Sequence, residues 1–254
     1  MTLDPTQRFT NRVTHYAQSR PSYPEEVLRI LDAECGLSSE HVIADVGCGT
    51  GLLTVLFLRN GNRVYGVEPN DAMRQAAEEA LREFPDFTAV AGRAEHTTLP
   101  DDCADMVTVA QALHWFEPEG TRREFARILK PEAWLVVVRN ERCTEASPLL
   151  QAVEAATAPL RRRPEHGHGC WEVDDGLLAG YYGPAGFRLR TCENQQVLDE
   201  QGFLGRWLSQ SNLPAPGEPG HEKMAEELHG IFAAHSRAGL VTIDYLTHVW
   251  FGRL

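Results

Sequence analysis

The chain has 254 residues, 43% of them hydrophobic, which is room for one large domain or two small ones around a sizeable core. With 24 basic against 36 acidic residues the formal net charge is −12, so a broad electropositive surface for gripping nucleic acid is excluded as a first reading. The longest apolar runs, Leu52 to Leu58 and Trp134 to Val138, fall far short of the roughly 20 residues of a membrane-spanning helix, and no membrane partner is expected.

The opening MTLDPTQRFT has neither the positive n-region nor the apolar h-region of an export signal, so a cytoplasmic location is expected. From residue 41 short β-branched runs alternate with helical stretches, the pattern of βαβ units that build a parallel sheet with helices on both faces. HVIADVG (41 to 47) is the first strand. After a glycine-rich turn, LLTVLFLRNG reads as a helix stopped at Gly61. NRVYGVEP is the second strand, and Asn70 or Asp71 can cap the next helix, whose stripe is Met73, Ala76, Ala77, Ala80, Leu81 and Phe84. FTAVAG (87 to 92), ADMVTVAQAL (104 to 113) and EAWLVVVRN (132 to 140) are three further strands, with a helix near 119 to 129 before the last. Ser147 to Ala158 looks helical, whereas 159 to 185, with RRR, HGHG and several Gly and Pro, reads as an irregular loop or partly ordered excursion. FRLRTCENQQVL and LVTIDYLTHVWFGRL are two more strands, with helices near 200 to 210 and 220 to 237 between them. In the second of these helices Met224, Leu228, Ile231 and Phe232 share a face. LPAPGEPG must be non-helical, because its prolines lack the amide proton that a helix interior needs.

The informative segment is VIADVGCGTG, where Gly47, Gly49 and Gly51 lie between a strand and a helix. Glycine there lets a ligand pack against the backbone at the positive end of the helix. A second signal is Glu68 at the end of the next strand, where a carboxylate accepts hydrogen bonds from both hydroxyls of an adenosine ribose. Dinucleotide folds use GxGxxG, but here the third glycine comes one residue early and Leu52 stands where that pattern wants Gly or Ala, which argues against NAD. Asp45, two residues before the first glycine, can orient a cationic amino acid moiety or serve as a structural acceptor. S-adenosylmethionine (SAM) carries such an amino group and no phosphate.

ADVGCGTG, VEPN, the AE of GRAEHTTLP, and VAQALHWF resemble the successive motifs of the class I, Rossmann-like SAM-dependent methyltransferases, over residues 41 to 142. HYAQSRPSYP and HWF resemble a small-molecule branch similar to trans-aconitate methyltransferase-like proteins. The resemblance implies an α/β fold with a doubly wound, mostly parallel seven-stranded sheet of order 3-2-1-4-5-7-6, and helical cap elements from the N-terminus and the late insertions. It implies a single domain over 1–254. Within it, 1–40 forms an N-terminal helical lid, 41–142 the SAM-binding core, 143–239 the substrate-side insertions and strand six, and 240–254 the last strand. Gly47, Gly49 and Gly51 would line the methionine portion, Glu68 would hold the ribose, and Pro69, Asn70 and Met73 would border the adenine. Ala94 and Glu95 would lie near the adenine amino group, and Gln111 beneath the methionine part.

Methyl transfer from a sulfonium is an in-line displacement that needs positioning more than covalent chemistry. His114, after the fourth strand, is the candidate base, or an orienting group if the nucleophile is a carboxylate; Trp115 and Phe116 would form a wall beside it. Tyr16, Arg20 and Tyr23 could close over SAM, a tyrosine face attracting the sulfonium and Arg20 pairing with the methionine carboxylate; ordinary packing is the competing reading. The expected function is methyl transfer from SAM to a small-molecule acceptor, a carboxylic acid among the candidates, by a monomer or homodimer. The alternative is a non-catalytic SAM-binding regulatory or interaction protein. An RNA or protein methyltransferase fits less well, since no NPPY-type motif follows strand four. The six cysteines form no CxxC pair and suit reduced thiols. His166, His168 and Cys170 alternate in HGHGC but lack an evident fourth ligand, so no metal is expected. Arg161, Arg162 and Arg163 read as a solvated face or an attractor of anionic substrate.

Overall fold

A computed structural model of the chain describes residues 19–162, 173, 175–208, 210 and 212–254. The elements run α1 (Glu26–Cys35), β1 (Val42–Val46), α2 (Thr54–Arg59), β2 (Arg63–Val67), α3 (Asp71–Ala80), β3 (Phe87–Val90) and β4 (Ala104–Ala110). They continue with α4 (Pro118–Ile128), β5 (Leu129–Arg142), α5 (Pro148–Thr157), α6 (Asp175–Tyr182), β6 (Arg188–Leu198), α7 (Glu200–Leu208), α8 (His221–His235) and β7 (Val241–Gly252). The seven strands form one sheet of order β3-β2-β1-β4-β5-β7-β6. The strands from β3 to β5 are parallel, and β7 inserts antiparallel between β5 and β6, as the resemblance implies.

Strand β5 explains why the sheet is covered on both faces. Leu135 and Val137 enter one apolar cluster with Phe125 and Ile128 of α4 and with Tyr181 and Tyr182 of α6. Val136 and Val138 enter the opposite one with Val27 and Leu31 of α1 and with Leu56 and Phe57 of α2. A period-2 chain that is apolar at every position must bury both sides, the signature of a central strand in an α/β sheet. Beyond Ala110↔Val138, the last pair between β4 and β5, strands β5, β7 and β6 continue as a ledge. Helices α5, α7 and α8 pack on that ledge around Phe203, Trp207, Met224, Leu228 and Tyr245.

The helix after the second strand is capped as its sequence predicts, the Asn70 side chain accepting from Met73 N at 3.0 Å. Its stripe is shorter than expected. Met73 and Ala77 are buried, but the helix ends at Ala80, which is exposed, and Leu81 turns back into the core. The irregular reading of 159 to 185 is corrected at α6. Its eight residues sit among glycines and show too little periodicity to be read, but burial of Leu178, Tyr181 and Tyr182 secures them. Arg122 Nε of α4 donates to the Tyr181 carbonyl at 2.9 Å and satisfies the end of the helix. His166, His168, Cys170 and Arg163 lie outside the described residues. Among those described, Cys35, Cys48, Cys103, Cys143 and Cys192 are free thiols, and no helix is long and apolar enough to cross a membrane.

Candidate functional site

Above the carboxyl ends of β1 and β4, next to the point where the strand order reverses, lies a cavity of about 160 Å³. Clefts at such a switch point are the usual ligand sites of open α/β sheets. Its wall contains Gly47, Gly49, Glu68, Pro69, Met73, Ala94, Glu95, Gln111 and Trp115, nine of the residues singled out in the sequence, drawn from four separate segments. Phe116 completes the aromatic side.

The floor is built by the chain leaving β1. Gly47 N and Cys48 N donate to the Val67 carbonyl at 2.8 and 3.2 Å, which ties the loop to the end of β2. Gly47 has φ +72°, and a Cβ there would come 2.8 Å from Ala112 Cβ and 3.1 Å from the Phe116 ring. Gly49, at φ +58°, would point a Cβ at nothing within 4 Å, so its open side is left to a ligand. Gly51 lies outside the cavity wall; a Cβ there would meet Leu81 Cδ1 at 2.7 Å, so it permits close packing of the loop on the end of α3.

Glu68 is the organising carboxylate. Its Oε2 accepts from Gly49 N at 3.0 Å and its Oε1 from Asn70 N at 2.9 Å, while Arg74 Nη1 donates to its carbonyl at 3.0 Å. A carboxylate has about four acceptor positions, so each oxygen keeps one for a further donor, the arrangement needed to take two neighbouring hydroxyls. The side chain is buried, and that burial pushes its carboxyl above the usual range against the pull of the two amide donors.

Opposite, Ala94 and Glu95 are presented by a turn fixed from below. Glu124 Oε1 accepts from Thr97 N at 2.7 Å and from Thr97 Oγ1 at 2.5 Å, and the bonded Arg127 holds the Glu124 carboxyl down at about 2. Glu95 Oε1 accepts from Glu117 N at 2.9 Å, linking this turn to α4. Gln111 ends β4 in the left-handed region, φ +56°, uncommon for a residue with a Cβ. This turn carries its amide to β5, where Nε2 donates to the Asn140 carbonyl at 3.0 Å.

Several expected site residues stand elsewhere. Asp45 is fully buried beneath the loop and accepts from Thr54 Oγ1 at 2.6 Å and Thr108 Oγ1 at 3.0 Å, with burial raising its carboxyl to about 6. Of its two readings, this geometry is that of the structural acceptor. Asn70 is outside the wall and acts there through its N–H to Glu68. His114 lines a separate hollow of about 10 Å³ with Val137, Val138, Arg139 and Val173. Its ring centre lies 4.9 Å from that of Trp115. Burial, with the Arg139 charge beside it, lowers its pKa to about 4, so the ring is neutral at pH 7. Arg20 and Tyr23 are not in the wall, and Tyr23 packs against the α1 side of the core. Tyr16 lies outside the described residues. The sequence reading missed Arg93, Ala110 and Ala112 in the wall, although they flank the AE and Gln111 signals and could have been taken with them. Arg161 and Arg162 are ion-paired with Glu154 and Glu218, at 2.5 Å each.

Residues 44–137 match the family described as a methyltransferase domain. An uncharacterised methyltransferase of Mycobacterium bovis is 36% identical over 139 residues, 55% of this chain and 54% of that protein; the match thus spans about half the length of that relative. Another uncharacterised methyltransferase, from Schizosaccharomyces pombe, is 27% identical over 244 residues, covering 91% of this chain and 89% of its own. Among solved structures, a candidate type II methyltransferase from Anaeromyxobacter dehalogenans superposes with a TM-score of 0.66 at 24% identity, over 92% of this chain and 97% of that one, a likeness of fold.

Proposed function

We propose that the chain, whose residues 44–137 match the methyltransferase-domain family, transfers a methyl group from SAM to a small-molecule acceptor, a carboxylic acid in the reading we favour. The observation that carries the proposal is Glu68, bonded to Gly49 N–H and Asn70 N–H at the floor of an open cavity, with a free acceptor position on each oxygen. SAM, when bound, supplies an electrophilic methyl on a sulfonium. The residues present fit such a group: Glu68 would take the ribose hydroxyls, and Pro69, Met73 and Ala94 offer an apolar slot for a flat base with Glu95 at its rim. Gly49 leaves backbone open to the methionine portion, with Gln111 on the other side. Trp115 and Phe116 exclude water from the reacting end.

His114 is held neutral by its surroundings, so its one ring N–H can donate a hydrogen bond to an oxygen of the acceptor molecule at pH 7, while the ring stores a proton poorly. That suits a nucleophile needing orientation more than deprotonation, as a carboxylate does. Positioning of this kind is worth about 7–11 kcal/mol of barrier in well-oriented systems. The test is SAM titration by calorimetry. Glu68→Ala removes two charge-assisted bonds to ribose, each about 1.5–3 kcal/mol, and affinity should fall at least about a hundredfold. Unchanged affinity would remove the assignment.

A further inference from the structure

The ledge of β5, β7 and β6 carries a guanidinium that no side-chain hydrogen bond or ion pair holds among the described residues. Arg142 ends β5 opposite Tyr245 of β7, two positions beyond Asn140, whose carbonyl receives Gln111 from the cavity wall. Its Cζ lies 4.8 Å from the ring centre of Trp207, and that of Arg206 lies 5.5 Å from the same ring. Trp207 and Arg206 are buried, while Arg142 is only partly covered and stays reachable from solvent. The Arg142 side chain makes no hydrogen bond and no ion pair among the described residues. The nearby carboxylate, Glu154, is already held by Arg161 through two bonds of 2.7 and 2.5 Å. Burial and the charges of Arg206 and Arg161 depress the Arg142 pKa to about 10, against the opposing pull of Tyr245 and Glu154.

A partly covered cation that no side-chain anion holds keeps its donors for a ligand, and perturbed charged groups of this kind cluster at binding sites. The planar fork of a guanidinium matches an oxyanion with two acceptor oxygens. Two strand positions amount to about 6.7 Å, so a group held here is within a small molecule's length of the cavity wall. We infer that Arg142, backed by Trp207 and Arg206, is the anchor for a non-reacting oxyanion, carboxylate or phosphate, of the molecule bound beside the cavity. That the anion belongs to the methyl acceptor rests on the proposed function; that the site binds oxyanions does not.

The experiment is calorimetric titration of succinate and, separately, inorganic phosphate into the full chain without SAM, at ionic strength held constant with sodium chloride. Wild type, Arg142→Lys and Arg142→Gln are compared. At least one anion should bind the wild type, which of the two identifying the source, with affinity about thirtyfold or more weaker in Arg142→Gln and partly kept in Arg142→Lys. In chloride alone the melting temperature of Arg142→Gln should stay close to that of the wild type, because no hydrogen bond or ion pair is lost and only the contact with the Trp207 ring goes. The inference is overturned if neither anion binds, if Arg142→Gln binds equally well, or if it melts several degrees lower, which would make Arg142 a structural partner of Trp207. A parallel SAM titration separates the two readings: wild type that binds an oxyanion but no SAM retires the methyl donor and leaves the anion site standing.

Discussion

Replacing Asp45 by Asn tests how the floor of the site is built. The carboxylate has no solvent exposure and, among the described residues, accepts two hydroxyl bonds, from Thr54 and Thr108, so its charge is poorly compensated and its pKa rises from 3.8 to about 6. Each tenfold change in an acid constant is 1.36 kcal/mol, so the ionised form costs the folded state about 3 kcal/mol relative to the unfolded chain. The sign follows from proton binding. Between pH 3.8 and about 6 the folded state holds the proton more tightly than the unfolded state, so stability falls as pH rises through that window. About 2 kcal/mol of the loss lies between pH 4.5 and 7.5. Asparagine has nearly the same shape, can accept from one threonine and donate to the other, and does not ionise. Urea unfolding of both proteins at the two pH values gives a difference in which every other titrating group cancels. Asp45→Asn should gain about 2 kcal/mol on the wild type between pH 4.5 and 7.5. A difference that is flat with pH would refute the account of Asp45 as an uncompensated buried charge.

Two further outcomes follow from the same geometry. Gly49→Ala adds a methyl that meets nothing, so its cost is that of the left-handed backbone, about 1–2 kcal/mol, whereas Gly47→Ala also drives a methyl onto Ala112 and should lose about 1–3 kcal/mol more. Equal losses in chemical denaturation would contradict the packing described for Gly47. For His114, with a pKa near 4, the turnover profile from pH 5.5 to 8 should run parallel in wild type and His114→Gln. An inflection near pH 6.5 present only in the wild type would show a proton being taken by this ring at neutral pH.

Most of the sheet was legible because a buried strand and an amphipathic helix write their periods into consecutive residues. VIADV, RVYGV and LVVV stand out as β-branched runs, and each is a strand covered on both faces. The glycine turn and Glu68 were legible for a related reason, since a bend and a carboxylate at adjacent strand ends must meet when the strands pair in parallel, as Val46 and Val67 do. Helix α6 was not, because eight residues between glycines carry too little periodicity, and only burial against α4 makes them helical.

By itself, then, the sequence determined local conformation and which strand ends carry chemistry, as hydrophobic spacing and backbone restriction act over a few residues. Which of those residues face the cavity was decided only in three dimensions. Asp45 and Gly49 lie four positions apart on one motif, yet one is sealed beneath the loop by Thr54 and Thr108 and the other opens onto the hollow. Arg142, Arg206 and Trp207 show no pattern along the chain, because what brings them together is the insertion of β7 and the packing of α7 on it. Burial and electrostatic potential are sums over neighbours distant in sequence, so they exist only once the chain has folded.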